Sequence, residues 1–149
     1  MNQATKAYYD KRAPILIKNL QSRHFDAYYC PDKASALEKA LELIPKGAKV
    51  GWGGSVSANE IGLIQAVKDG DYRDIDRDSC KDPAQLRMLY LEAMLADVFI
   101  TGANAMTLDG QMINIDGNGN RVGPICYGPE SVIVIAGMNK VEDSLEAGR

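Results

Sequence analysis

Three stretches of the chain carry residue types that could do chemistry. The first is Gly51-Trp52-Gly53-Gly54-Ser55-Val56-Ser57. Small residues let a ligand approach the backbone. A helix starting there would offer unpaired N–H groups and a partial positive charge to a phosphate or carboxylate. Gly53, Gly54 and Ser55 are the candidate contacts. The loop is neither G-x-G-x-x-G nor a Walker A sequence. Ser57-Ala58-Asn59-Glu60 has the S-x-x-E form of a capping box. Glu60 would repel an anion unless the cap ties it up; otherwise it is a candidate general base. The plain alternative is a tight turn leading into a well-capped helix.

The second stretch is Thr101-Gly102-Ala103-Asn104 together with Asn114-Ile115-Asp116-Gly117-Asn118-Gly119-Asn120-Arg121. On a strand, Asn114 and Asp116 share one face, with Ile113 and Ile115 on the other. One sheet end would then gather Asn104, Asn114, Asp116, Asn118, Asn120 and Arg121, with Asp116 a second candidate base. The alternative is an irregular turn, since Asn and Gly both tolerate left-handed backbone. The third stretch is Gly137-Met138-Asn139-Lys140. Lys140 could meet a phosphate, a carboxylate or Asp116, with Asn139 beside it, or be an ordinary solvated lysine. Asp76-Arg77-Asp78 could contribute a carboxylate to the same rim, but adjacent opposite charges read more readily as a surface loop. With one histidine, His24, and no C-x-x-C pair, neither a transition-metal site nor a Ser/His/Asp arrangement is expected.

The elements that must position these loops follow from periodicity. Residues 5–23 read as a helix containing Pro14, and residues 27–30 as a short strand. Residues 33–44 read as an amphipathic helix with Leu37, Ala40, Leu41 and Ile44 on one face. A strand at 49–52 runs into the glycine loop and a helix over 58–68. Residues 72–76 read as a strand, and Asp82-Pro83 opens a helix whose apolar face is Leu86, Leu89, Tyr90, Ala93 and Met94. Apolar runs at 98–101 and 131–136 suit strands buried on both faces. Residues 105–116 read as a β-hairpin centred on Asp109-Gly110, and a final helix begins after 137. Alternating strands and helices imply an α/β domain with a mainly parallel sheet. Its glycine-rich loops would then lie at the strand carboxyl ends, where ligands bind.

Composition narrows the classes. At 149 residues, with 46% hydrophobic and 25% charged residues, the chain is expected to be one domain with a real core. A net charge of −3 and 7% aromatic residues argue against nucleic acid as a partner. Three scattered cysteines, Cys30, Cys80 and Cys126, read as buried thiols in a reducing compartment. No signal peptide and no apolar run of about 18 residues is read, so the expectation is a cytoplasmic protein with no membrane association.

Three segments resemble the LUD domain, the lactate-utilisation family: VGWGGSVSANEIGL (residues 50–63), ADVFITGANAMTLDGQMINIDGNGNRV (96–122) and VIVIAGMNKV (132–141). The resemblance runs from about Phe25 onward. Ser57 stands where many members have Thr. The resemblance implies a three-layer α/β/α Rossmann-like fold similar to the NagB/RpiA/CoA-transferase group, and a role in L-lactate oxidation beside iron–sulfur subunits. GANAMTLDGQMIN is also similar to a stretch of sugar-phosphate isomerases and initiation-factor-2B-like proteins of that wider group. There the acidic residue is catalytic; here Asn104 occupies its place, and an amide cannot serve as that acid or base. Family members usually continue further, many with a cysteine-rich tail. The chain therefore reads as a single domain over 1–149 lacking the C-terminal part. No cofactor is evident, and iron–sulfur chemistry would come only through partner subunits or the missing tail.

The favoured reading is an accessory subunit or small-anion-binding domain of lactate utilisation. One alternative is an enzyme acting on a sugar phosphate, folate or CoA-type acyl substrate. Another is a structural module that forms a homodimer.

Overall fold

Helix α1 (Gln3–Ser22) opens the computed structural model, which describes residues 2–146. Asn2 caps it by accepting from the Thr5 N–H at 2.8 Å, and the chain stays helical through Pro14. Leu16 and Leu20, one turn apart, form its buried stripe. The strand expected over 27–30 does not form. That segment crosses the surface instead. The Tyr29 hydroxyl donates to Asp10 at 2.8 Å and Lys39 lies over the Tyr28 ring, while no strand among the described residues pairs with this backbone. Helix α2 (Lys33–Glu42) starts at Asp32, whose carboxylate accepts from the Ser35 N–H at 2.8 Å. It buries Ala40, with Ile44 just beyond it and Leu37 and Leu41 alongside.

The main sheet has four parallel strands in the order β2-β1-β3-β6: β1 (Lys49–Trp52), β2 (Arg73–Asp74), β3 (Val98–Thr101) and β6 (Ser131–Val134). Side chains alternate across it with period two. Val50, Trp52, Val98, Ile100 and Ile133 face α2 and α4 (Leu63–Asp69). Phe99 and Val132 face the opposite layer, α5 (Pro83–Ala93). Gly51 is required on that second face, because a Cβ there would stand 3.0 Å from the Cβ of Ala93. The result is a mixed α/β architecture with helices on both faces of a mainly parallel sheet, consistent with the three-layer Rossmann-like expectation.

Several element boundaries differ from the periodicity reading. The helix expected over 58–68 is two pieces, α3 (Val56–Glu60) and α4, separated where Gly62 adopts φ +79°. A left-handed residue ends one helix and redirects the next. The strand expected over 72–76 shrinks to two residues because only Arg73 and Asp74 find register partners on β1. The hairpin forms as β4 (Ala105–Thr107) and β5 (Met112–Ile113), turning at Gly110 with φ +89°. Gly110 presses on α1, where a Cβ would lie 2.9 Å from the Asn19 carbonyl carbon.

The final helix is also absent. A single 3-10 turn (Met138–Lys140) leads into β7 (Val141–Glu142), which pairs in parallel with β4. Met138 and Val141 join Leu16 and Leu20 in an apolar cluster, so the open edge of β4 captures this segment; residues 147–149 lie outside the described part. The cysteines are not core residues: Cys30 and Cys80 are half-buried and Cys126 is exposed. Cys126 ends α6 (Val122–Cys126), a short helix whose buried residue is Pro124.

Candidate functional site

The order β2-β1-β3-β6 has a switch point between β1 and β3. From β1 the chain goes outward to β2 and then returns to the other side of β1. The two connections part there, and in open parallel sheets such a point at the strand carboxyl ends is where ligands bind. Three loops meet at this edge, following β1, β3 and β6. The ladder runs slightly past the strands: the Gly53 N–H donates to the Ile100 carbonyl at 2.9 Å and the Ile135 N–H to the Thr101 carbonyl at 2.8 Å. The loops touch as well. A Cβ on Gly102 would lie 3.0 Å from Ser55 Oγ and 3.5 Å from the Ile135 carbonyl oxygen. Gly54 is exposed, and nothing lies within 4 Å of a Cβ built on it. It is the open point of the edge.

One wall of the edge is a charged network built by the second sequence stretch. The Asp116 carboxylate accepts from the Arg121 and Val122 backbone N–H groups at 2.8 and 2.7 Å, and from Arg121 Nε at 3.1 Å. Arg121 Nη2 donates to Asn104 Oδ1 and, at 3.1 Å, to the Ile115 carbonyl. Asn104 Oδ1 also accepts from the Ile115 N–H at 3.1 Å. The Arg121 stem lies on Gly53: a Cβ there would be 2.9 Å from Arg121 Cγ and 3.3 Å from Phe99 Cζ. Arg121 and Asp116 are only 12% and 13% exposed. Burial works against the Asp116 charge. The Val122 and Arg121 N–H groups and the guanidinium outweigh it and hold the carboxyl below its ordinary value of 3.8. Asp116 is therefore an anion with its oxygens occupied.

Asn104, Asp116, Arg121, Gly53 and Ser55 thus belong to one connected edge. Asn114 follows β5 and is not on a strand; its Oδ1 is buried with no hydrogen-bond partner. Ile115 points to solvent, so the alternating faces expected over 113–116 are not formed. Asn118 and Asn120 leave the network and line a groove against α5. At the third loop, Asn139 Oδ1 folds back over Gly137. Lys140 is half-buried and has no ion pair or side-chain hydrogen bond among the described residues.

The capping box expected at Ser57–Glu60 is replaced by a different cap. Ser55 is the N-cap, its Oγ accepting from the Ala58 N–H at 3.1 Å, and Asn59 Nδ2 donates to the Ser55 carbonyl at 3.0 Å. The S-x-x-E pattern is out of register because α3 begins two residues earlier than its periodicity suggests. Glu60 instead pairs with Lys33 of α2 at 3.2 Å, with both groups largely exposed.

A second polar cluster forms around Asp76-Arg77-Asp78, the stretch that could add a carboxylate to the rim. Trp52 Nε1 donates to Asp78 at 2.8 Å, and Lys68 lies 5.6 Å from the Trp52 ring centroid while pairing with Asp76 at 2.9 Å. Burial opposes the charge of Asp76. Hydrogen bonds from Ser79, Lys68 and the Asp78 N–H outweigh that burial and lower its pKa. What the sequence does not show is the partner: parallel pairing of β1 with β2 brings Asp78 to the Trp52 indole at the end of β1. Among the described residues, no three His, Cys, Asp or Glu side chains come together in a way that could hold a metal ion. No helix among them is long and apolar enough to cross a membrane.

Comparison with curated proteins finds no match. The LUD domain family model matches residues 14–149, so the match begins earlier than the quoted segments and takes in the second half of α1, from Pro14. Both the fold and the three glycine-bearing loops fall within it, and the chain belongs to the LUD domain family.

Proposed function

We propose that this LUD-family domain binds a small organic or phosphate anion at the carboxyl edge of its parallel sheet, and serves L-lactate utilisation as an accessory subunit beside iron–sulfur proteins. The observation that supports the binding reading is the approach of the glycine-bearing loops after β1 and β3 to the end of β6, with the Arg121 stem against Gly53 and Lys140 in the loop that follows β6. Lys140 lacks a protein carboxylate among the described residues, and Arg121 keeps Nη1 without a protein acceptor among them. The lactate context rests on the family. Asp116 fits a positioning role: with its oxygens occupied and its pKa lowered, it is a weak base that aligns Arg121.

Thermal melting in the presence of L-lactate, inorganic phosphate, a sugar phosphate or a CoA ester tests this. A ligand at about 100 times its Kd adds roughly 2.7 kcal/mol to the folded state. At roughly 2–4 °C per kcal/mol for a domain of this size, the expected rise is about 5–11 °C. Gly54→Leu fills the open point and Lys140→Gln removes the free cation; each should abolish the rise while leaving the unliganded melt near wild type. No rise with any of these compounds, or a rise unaffected by both substitutions, refutes the reading.

A further inference from the structure

A separate groove of about 430 Å³ lies between α5 and the loop joining Asp116 to Arg121. Its apolar lining includes Leu86, Tyr90, Met94 and Pro124. Its polar lining is Arg87, Asn118 and Asn120, with no carboxylate. Arg87 is exposed and has no ion pair or side-chain hydrogen bond among the described residues. Arg77, which does not line the groove, lies over the Tyr90 ring with its guanidinium carbon 5.3 Å from the ring centroid. Arg77 itself is paired with Asp78 at 3.2 Å. The volume falls in the range of small-molecule sites, and so does the chemistry: mostly apolar walls with a few polar groups that set orientation.

We infer that this groove binds a small organic acid with an apolar body, an aromatic or medium-chain monocarboxylate. The body lies along Leu86, Tyr90 and Met94. The carboxylate meets Arg87, with the Asn118 and Asn120 amides as further donors. Charge complementarity selects this occupant: one unpaired guanidinium, two carboxamides and no acidic group form a lining that favours an anion over a neutral or cationic ligand. It also accounts for the placement of Leu86, Tyr90 and Met94, three of the five residues on the apolar face read for this helix, along the groove while Ala93 and Leu89 enter the core. The inference is independent of the carboxyl-edge site, since Gly54, Lys140 and Arg121 do not line this groove.

Calorimetric titration of the whole chain with 3-phenylpropionate and octanoate, and with the neutral 3-phenylpropanamide, tests it. Saturable binding of at least one acid is expected, with the amide about tenfold weaker or worse. Arg87→Gln should weaken the acid at least about fivefold and narrow the difference between acid and amide; an exposed arginine can be replaced without unfolding the chain. Gly54→Leu should leave acid binding unchanged. Backbone amide shifts in NMR should concentrate on α5 and residues 118–120. The inference fails if no acid binds up to about 10 mM, if acid and amide bind alike, if Arg87→Gln binds as wild type, or if Gly54→Leu abolishes binding. It also fails if sedimentation shows a dimer that Leu91→Lys dissociates and neither acid competes with, because a second copy of the chain then fills the groove.

Discussion

Removing the Asp116 carboxylate should destabilise the domain through Arg121. In Asp116→Ala, the Arg121 and Val122 backbone N–H groups and the Arg121 Nε lose their acceptor, and a guanidinium only 12% exposed loses its counter-charge. Breaking one partner of a buried ion pair costs about 3–5 kcal/mol. Arg121 keeps the Asn104 and Ile115 oxygens, which places the loss near about 3 kcal/mol. For a domain of this size that is roughly 6–12 °C in Tm.

Arg121→Met removes the other partner, and the double variant leaves no orphaned charge. Urea unfolding of the wild type, both single variants and the double should therefore give a double loss smaller than the sum, with a coupling of about 2 kcal/mol. Acid titration supplies a second reading. The carboxyl has its ordinary value of 3.8 in the unfolded chain and a lower one in the folded protein. Its contribution is complete above that ordinary value and disappears as pH falls through the folded one. Wild-type stability should thus fall more steeply below about pH 4 than that of Asp116→Asn. A loss under about 0.5 kcal/mol for Asp116→Ala, or strict additivity in the double variant, would falsify the claim that this network holds the edge together.

Other consequences are simpler. Gly128 has φ +121°, and a Cβ there would collide with the Met94 carbonyl oxygen; Gly128→Ala should cost at least about 2 kcal/mol in a chemical melt, through backbone strain and displacement of the end of α5. Ser55→Ala removes the N-cap of α3 and should cost about 1 kcal/mol, and amide exchange should be faster at Ala58 in that variant. Glu60→Gln breaks a largely exposed pair with Lys33 and should stay within about 0.5 kcal/mol of wild type, with anion binding at the carboxyl edge unchanged.

Much of the α/β architecture was legible in the chain because burial on a sheet imposes a short repeat. Val98, Phe99 and Ile100 are all buried, as an apolar run between two helical layers requires. The amphipathic face of α2 and the Asp109-Gly110 turn read correctly for the same local reason. The errors occurred where partners distant in sequence decide. The 27–30 segment had strand-like residues but no strand edge to join. Residues 141–142 became β7 because β4 had an unpaired edge, although the local sequence suggested a helix.

The site divides along the same line. Sequence alone determined which residue types stand near the carboxyl ends of β1, β3 and β6: glycines that admit close approach, a carboxylate, amides and two cations. Local alternation and loop composition carry that information. Only the tertiary structure decided which of them meet. It joined Asn104, Asp116 and Arg121 over Gly53, sent Glu60 to Lys33, and turned Asn118 and Asn120 toward α5. Hydrogen bonds and ion pairs between residues far apart in the chain depend on how whole layers pack, and packing is a property of the assembled sheet and helices.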